Sequence, residues 1–422
     1  MDTLPLTDSE RSFGAHKPPM RRSRALTAIF FLAGGPALLF FLMWLPVRLY
    51  GLGTSADFIT FYSAGRIIRC GQAVKLYDYD LQLSIQQSFT NHAVPLLFNH
   101  LPFEALAFVP LSYFSYSTAY LCWVFFSLWL LGVAMWLFAD RGPELTLVER
   151  LAVMASSLYP MFATLMQGQD SFVILLAYVL TFLNLKSRRD FRAGCWLALG
   201  LLKPQLVVPF VLIFLLKKRW SFVSGFTCVG GILLVLSAAI VGIKPLAQYA
   251  FLLLNMNGDR TRETFHIYPG MMPNVRGLFH LLLSGSISPI ALNISILVVS
   301  LALMIWAVQN LKTLSDPDND RFDLEFSLAV VVTLLVSYHL LLHDLSVLAL
   351  PAFLVLSRLH AQDSVWSARR IFTMITLLLF FLTQSAMISL GLRQYSVSCV
   401  LLILFAAAID MDMRITSATV SR

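Results

Sequence analysis

The sequence predicts an all-α polytopic membrane protein with about 12 transmembrane helices and a long first extracytoplasmic loop that bears interfacial helices. Hydrophobic residues make up 58% of the 422 residues and charged residues only 13%, whereas soluble domains average about 25% charged residues. The apolar residues are grouped into runs that are long enough, or nearly long enough, to cross a bilayer. Most of the 31 Lys and Arg residues fall in the tails and alternate loops, as the positive-inside tendency requires.

Twelve apolar runs are predicted as spans, with a break at Pro204 dividing two of them. The run that begins at Ala25 is too long for a signal-peptide core and is interpreted as a retained anchor. The predicted spans are 25–46, 118–138, 150–166, 171–186, 192–203, 204–217, 221–243, 288–310, 324–341, 345–358, 370–389 and 394–410.

Segment 93–113 is predicted as an interfacial or re-entrant element. It contains Pro95, Pro102 and Pro110 together with polar residues such as His100 and Glu104, which suit irregular backbone near the membrane better than a plain span. Without it, both termini lie on the cytoplasmic side. The chain is then divided into a basic cytoplasmic tail (1–24), one membrane domain (25–410) and a cytoplasmic C-terminal tail (411–422).

Composition also disfavours several classes of function. The net charge of +8 is spread over short loop clusters, so it follows from topology and does not indicate nucleic-acid binding. Of the five cysteines only Cys70 lies in a polar loop, which leaves no loop disulfide. No Cys/His pair has zinc spacing, and no glycine motif of a nucleotide-binding domain is present.

Polar residues at five breaks between spans are predicted to face the extracytoplasmic side. If they converge, they form one outward-facing cavity near the membrane surface, and polar groups at that depth are functional candidates by default. The breaks contain Asp57, Gln167 to Asp170, Lys203 to Gln205, Pro273 to Arg276, and His343 with Asp344.

Each of these groups also has a purely structural interpretation. Asp57, Gln169 and Asp170 can cap the helices that follow them. Arg66, Arg69 and Lys75 can contact lipid headgroups, and Lys203 can extend to the interface. His343 and Asp344 can form a satisfied polar pair in a short turn.

The order of these motifs resembles glycosyltransferase family 87, whose members are polytopic enzymes of the GT-C superfamily related to mycobacterial mannosyltransferases and arabinofuranosyltransferases. The resemblance covers most of the chain and rests on several short motifs. They are Asp57-Phe58 with Phe61-Tyr62, Gly71, Leu76-Tyr77-Asp78, Pro102, Pro110-Leu111, Ala119, Trp123, Gly168-Gln169, Gly200, Lys203-Pro204, Lys218-Arg219-Trp220, Pro273-Asn274, Arg276-Gly277 and His343-Asp344.

This resemblance implies a transferase that moves a sugar from a polyprenyl-phosphate donor to a glycolipid or polysaccharide hydroxyl, at the outer face of the plasma membrane. Asp57 matches the catalytic acid of the first extracytoplasmic loop and would be the general base of an inverting reaction. Metal ions and cofactors are not expected, because the lipid-linked sugar is a substrate.

Further roles follow from the same resemblance. The leaving phosphate would contact Lys203, Arg66 and Arg276, in that order of preference. His343 would hydrogen-bond the phosphate or the sugar with Asp344 orienting it, or the two roles are reversed. The sugar pocket would be lined by Tyr62, Tyr77 and Gln169, with Asn274 also in the donor site, and segment 93–113 would hold the prenyl chain.

Two other classes of function remain open at this point. A transporter or flippase for lipid-linked sugars predicts internal repeats and charges in the middle of spans, whereas here no repeat is visible and the charges collect at span ends. A surface-polysaccharide polymerase or ligase predicts a large outer loop late in the chain, whereas here the longest outer loop is the first.

Overall fold

The computed structural model describes residues 34–49, 57–89, 96–139, 145–255, 269–362, 367–392 and 394–420. Within these ranges the chain is helical, and the only β-type pairing is a bridge between Ser284 and Ile287. The predicted all-α class is confirmed. The basic tail predicted for residues 1–24, the start of the first span and part of the second outer loop lie outside the described residues.

The α-helices are labelled in chain order over the described ranges. They are α1 (Gly35–Leu49), α2 (Phe58–Arg69), α3 (Tyr79–Gln87), α4 (Pro102–Phe108), α5 (Tyr116–Ala139), α6 (Leu147–Gln167), α7 (Ser171–Lys186), α8 (Asp190–Ala198), α9 (Val208–Leu216), α10 (Trp220–Val241), α11 (Ile243–Asn255), α12 (Val275–Leu283), α13 (Pro289–Asn310), α14 (Phe322–Val336), α15 (Ala349–Gln362), α16 (Ala368–Ser389) and α17 (Ser398–Val420).

Six helices in the described part of the chain have the length and apolar composition of a membrane span. They are α5, α10, α13, α15 with the 3₁₀ turn before it (Leu342–Gln362), α16, and α17 with the turn before it. Each of them coincides with a predicted span. Helix α7 is apolar but shorter, so the polytopic architecture is confirmed while the number of complete crossings is not determined by helix length.

The predicted spans 192–203 and 204–217 form a hairpin of short helices. Helices α8 and α9 contain 9 residues each, about 14 Å of helix, which is less than half of a hydrocarbon core of about 30 Å. Asp190 at the start of α8 pairs with Arg219 after α9, so both open ends of the hairpin lie together. Its tip is therefore the break at Lys203 and Pro204.

The first loop contains the short helices α2, α3 and α4, as predicted. Segment 96–113 contributes only α4, which has 7 residues, and a 3₁₀ turn at Leu111–Tyr113. Neither is long enough to cross the membrane. Tyr77 in this loop donates a hydrogen bond to the carbonyl of His100 at 2.7 Å and ties the loop to segment 96–100.

The two ends of the bundle differ in their polar groups. Helix α7 runs from the break at Asp170 to Lys186, and ion pairs collect at its Lys186 end. The pairs at this end are Lys186–Asp323 at 2.7 Å, Arg188–Asp318 at 2.6 Å, Arg219–Asp190 and Arg358–Asp320 at 3.0 Å. The opposite end contains the breaks at Asp170, Lys203 and Asp344, and this is where the candidate site lies.

Candidate active site at the broken helix ends

A cavity of about 370 Å³ lies at the end of the bundle where the breaks meet. Its wall is built by the start of α2, the segments 96–100, 202–205 and 338–344, Gln169 and Tyr249. Five residues predicted for the site line it, namely Asp57, Gln169, Lys203, His343 and Asp344. Four of the five predicted breaks thus converge on one cavity.

Asp57 precedes α2 but does not cap it with its side chain. Its Oδ2 instead accepts a hydrogen bond of 2.8 Å from the side-chain Nε2 of Gln169. Burial raises the pKa of the Asp57 carboxyl above its ordinary value, although the Gln169 hydrogen bond and the charge of Lys203 act in the opposite direction. A carboxylate with a raised pKa at a cavity wall is suited to accept a proton.

Gly168 determines where Gln169 lies. It ends α6 with φ of 65°, a left-handed conformation, and its backbone N–H donates to the carbonyl oxygens of Leu165 and Thr164. A Cβ at this position would lie 2.6 Å from the Cβ of Phe58. The turn therefore fits closely against the first residue of α2 and brings Gln169 to Asp57.

The ammonium group of Lys203 is buried between two carboxylates. Its Nζ lies 2.7 Å from Oδ1 of Asp344 and 3.0 Å from Oδ1 of Asp170, and it donates a third contact of 3.0 Å to Oγ of Ser171. Only 4% of the Lys203 side chain is exposed. The tip of the α8–α9 hairpin is thus bound to the start of α7 and to the turn before α15.

His343 and Asp344 are both buried in the 3₁₀ turn before α15. Nδ1 of His343 donates to Oε1 of Gln167 at 2.6 Å, while its Nε2 lies 3.4 Å from Oδ1 of Asp344. Oδ2 of Asp344 accepts from the backbone amide of Leu341 at 2.9 Å. The bond to Gln167 holds the turn against the end of α6, and the contacts of Asp344 order the turn itself.

A second polar cluster adjoins the cavity on the α4 side. Nδ1 of His100 lies 2.8 Å from Oε2 of Glu104, four residues later, and ligand atoms of His100, Glu104 and Asp170 all lie within 4.8 Å of one another. Burial raises the pKa of Glu104 to about 7. The pKa of His100 is raised as well: burial acts to lower it, and the Glu104 carboxylate more than offsets this.

Three predicted site residues of the first loop lie outside the cavity wall. Tyr62 is buried among aromatic rings and donates to the carbonyl of Phe114 at 2.8 Å. Arg66 is half-buried and contacts Oγ of Ser88 at 3.4 Å. Tyr77 lies one layer behind the wall, since its ring stacks on that of Tyr249 with a centroid separation of 5.7 Å.

The fifth break lies behind Tyr338. Asn274 caps α12 by accepting from the amide of Gly277 at 2.9 Å, and it donates to the carbonyl of Ser337 at 2.6 Å. The guanidinium of Arg276 lies 4.2 Å from the ring centroid of Tyr338, whose carbonyl it also contacts at 3.1 Å. Asn274 and Arg276 therefore support a wall residue and do not form the wall themselves.

Several wall residues were not predicted from the sequence. Thr60, Asn99, His100, Tyr249, Tyr338 and His339 line the cavity. His100 and Glu104 were noted in the sequence as polar residues of segment 93–113, but because His100 precedes α4 no helical periodicity assigned it to the cavity. Tyr249 and Tyr338 carry no local signal, since only the packing of distant helices brings them to the cavity.

Residues 98–337, more than half of the chain, match the family model of glycosyltransferase family 87. The chain belongs to glycosyltransferase family 87. As the resemblance implied, it is therefore a membrane glycosyltransferase. Comparison with curated proteins finds no match, and comparison with solved structures finds none either.

For this family 87 chain the matched region includes much of the cavity wall. Gln169, Lys203, Asn274 and Arg276 lie inside residues 98–337. Asp57 precedes the matched region, and the turn at His343 and Asp344 follows it. The fold closes the cavity by bringing these outer segments onto the matched core.

Proposed function

We propose that this family 87 glycosyltransferase moves a sugar, mannose or another hexose or pentose, from a polyprenyl-phosphate donor to an acceptor hydroxyl, with inversion. The hydroxyl oxygen forms the new bond to C1 of the sugar, the bond from C1 to the phosphate oxygen breaks, and polyprenyl phosphate leaves. The hydroxyl proton passes to Asp57. The acceptor is a glycolipid or polysaccharide at the extracytoplasmic face of the plasma membrane.

The observation that supports this proposal is the environment of Asp57. Its carboxyl lies in a cavity wall, has a raised pKa through burial, and is held by Gln169 instead of capping α2. A helix-capping residue does not require this arrangement. A general base does require it, because its carboxylate must be oriented toward the proton that it accepts.

The leaving phosphate would contact Lys203 in the cavity wall. Arg66 and Arg276 lie outside that wall, so they would meet the donor only where it extends beyond the cavity, along α2 or past Tyr338. Lys203 lines the cavity, although its charge is already shared by Asp170 and Asp344. His343 and Asp344 would orient the donor from the adjacent wall, with the sugar lying near Gln169 and the prenyl chain along segment 96–113. A phosphodiester bears negative charge, so cations or donors at this point would favour its departure.

The experiment is transfer from synthetic polyprenyl-phosphate sugars by the purified protein in detergent, with a lipid extract that supplies acceptors. We expect Asp57→Asn to lose about 10²-fold or more in rate, the usual contribution of a general base. Asp80→Asn serves as the control, because Asp80 is an exposed acid of the same loop. Equal rates in wild type and Asp57→Asn would contradict the role of Asp57 as base.

A further inference from the structure

The cavity and its rear wall contain more negative than positive groups. Asp57, Glu104, Asp170 and Asp344 supply four carboxyl groups; the last three are buried and Asp57 is half-buried. Among the described residues, the one ammonium group that contacts this set is Lys203, and Arg276 lies beyond the ring of Tyr338. Buried carboxylates without a compensating charge are strongly unfavourable, so this set calls for protons or for another cation.

Two of these carboxyl groups have oxygens that no donor satisfies. Oε1 of Glu104 and Oδ2 of Asp170 are buried and have no hydrogen-bond donor within the described residues. Both side chains are about 98% buried. Buried polar atoms are rarely left without a partner, and such groups commonly indicate an ion or water that completes the site.

The same two carboxyl groups form a set of ligands with His100. One imidazole nitrogen and two carboxylate oxygens lie within 4.8 Å of one another, a spacing that a single cation can bridge. Carboxylate ligands favour Mg²⁺ and Mn²⁺, and an imidazole extends the choice toward Zn²⁺. His100 and Lys203 both line the cavity, so an ion has a path to the cluster.

We propose that His100, Glu104 and Asp170 bind one divalent metal ion in the wall behind Asp57. The two carboxylate ligands would balance the charge of the ion, and together with Lys203 the ion would compensate three of the four carboxylates. The resemblance to family 87 implied no metal, so this site is a departure from that expectation.

The site would also favour an anionic substrate in the cavity. A phosphodiester that approaches Asp57 and Asp344 is repelled by their charges, and Lys203 is already paired with two carboxylates. A divalent charge beside Asp170 reduces that repulsion. This second role rests on the proposed function, whereas binding of the ion does not.

The test measures binding of the metal to the purified full chain in detergent, without donor or acceptor. After treatment with chelator and its removal, Mn²⁺ and Zn²⁺ are titrated separately by calorimetry, and free Mn²⁺ is followed by electron paramagnetic resonance. We expect about one equivalent to bind, and Glu104→Gln and His100→Gln each to weaken binding by more than about 10-fold, the lower end of what loss of a supporting group costs. Asp316→Asn, at an exposed loop, is the control.

Circular dichroism and size-exclusion profiles identify variants that do not fold, and two substitutions of different chemistry keep the test informative if one fails. Binding that is absent in wild type, or equal in wild type and both variants, overturns the site. A thermal midpoint that rises in Glu104→Gln without any metal binding shows that a proton on Glu104, and not a metal ion, neutralises this carboxyl group, and likewise overturns the site. Loss of transfer in Asp57→Asn is measured separately, so failure of the metal site and failure of the proposed function are distinguishable.

Discussion

The side-chain Nε2 of Gln169 donates a hydrogen bond of 2.8 Å to Oδ2 of Asp57, across 112 residues of sequence. This bond joins the turn after α6 to the first residue before α2. It fixes the orientation of the carboxyl group and stabilises its ionised form. Substitutions at Gln169 therefore report on the ionisation of Asp57.

Replacement of Gln169 by Leu is expected to shift the acidic limb of the pH profile of kcat/KM to higher pH. In the wild type, the hydrogen bond from Gln169 lowers the pKa of Asp57. Its removal therefore raises that pKa, and a smaller fraction of Asp57 is ionised at a given pH. A hydrogen bond to a charged group is worth about 1.5–3 kcal/mol, which corresponds to about one pH unit or more. An unchanged profile with a lowered rate would show that Gln169 contacts substrate and does not tune Asp57.

Replacement of Asp57 by Asn is expected to leave the fold intact and to raise its thermal stability at neutral pH. Since the folded-state pKa of Asp57 is raised, its protonated form favours the folded state. That stability is fully present below the unfolded-state pKa and is lost as the pH rises through the folded-state pKa.

The difference in thermal midpoint between Asp57→Asn and wild type should accordingly be larger at pH 8 than at pH 5. It is measured by scanning fluorimetry in detergent, with Asp80→Asn as an exposed control. A variant that is less stable than wild type at both pH values would assign Asp57 a structural role.

Gly168→Ala is expected to reduce both stability and transfer. A non-glycine residue in the left-handed conformation costs about 1–2 kcal/mol, and here its Cβ would also lie 2.6 Å from the Cβ of Phe58. Either α2 or the turn must move, and Gln169 would move with it. The loss of kcat/KM should therefore exceed what the change in stability explains.

Gly71→Ala is the matched control for this substitution. Gly71 has φ of 72°, close to that of Gly168, but a Cβ there would meet nothing within 4 Å. It should show the backbone cost alone and retain transfer activity. Equal loss of activity in the two variants would mean that contact with Phe58 does not position the site.

The sequence predicted the all-α class and the positions of the breaks because both follow from local patterns. The apolar runs break near Gly168 and at Lys203 with Pro204, and in the structure α6 ends at Gln167 and the 3₁₀ turn that follows α8 ends at Leu202. The third break was placed less well, because α14 already ends at Val336 and His343 lies within a 3₁₀ turn, Leu342–Leu348. Asp57 and Lys203 were singled out because charged groups near the membrane are costly and therefore conspicuous. Local patterns contain this information without any knowledge of the tertiary fold.

Pairing across the fold could not be predicted in the same way. The contacts of Lys203 with Asp170 and Asp344 join residues that are 33 and 141 positions apart in the sequence, and no periodicity encodes such distances. Tyr62 and Asn274 were predicted as site residues by motif alone, yet one is packed in an aromatic cluster and the other caps α12. Motifs identify residues that matter but do not distinguish wall residues from those that support the wall.

Gly194→Ala and Gly225→Ala are each expected to be strongly destabilising. Helices α8 and α10 cross at these glycines: a Cβ on Gly194 would lie 2.0 Å from the carbonyl oxygen of Phe222, and one on Gly225 would lie 2.0 Å from that of Phe191. Backbone atoms cannot yield as a flexible side chain can, so α8 must shift and take the Lys203 tip with it. Overpacking of this kind costs about 1–3 kcal/mol or more.

The matched control is Gly231→Ala on α10, the helix that also contains Gly225, because a Cβ at Gly231 meets nothing within 4 Å. Because alanine is a better helix former than glycine, this variant should be as stable as wild type or slightly more stable. Thermal midpoints and monodispersity in detergent distinguish the three variants. Similar values for all three would mean that α8 and α10 do not cross at these glycines.

Lys203→Met is expected to be the most destabilising of the charge substitutions, because it leaves Asp170 and Asp344 buried without their cation. Breaking a buried ion pair by removing one partner costs about 3–5 kcal/mol. Adding Asp344→Asn to Lys203→Met should recover part of the lost stability, since one uncompensated charge is removed with it. Arg188→Ala, which breaks exposed pairs with Asp316 and Asp318 at the other end of the bundle, should change the thermal midpoint little. The opposite result would be a Lys203→Met variant as stable as wild type, with the double variant less stable. It would mean that the ion pairs do not stabilise the tip of the α8–α9 hairpin and that Lys203 is available to bind the substrate phosphate.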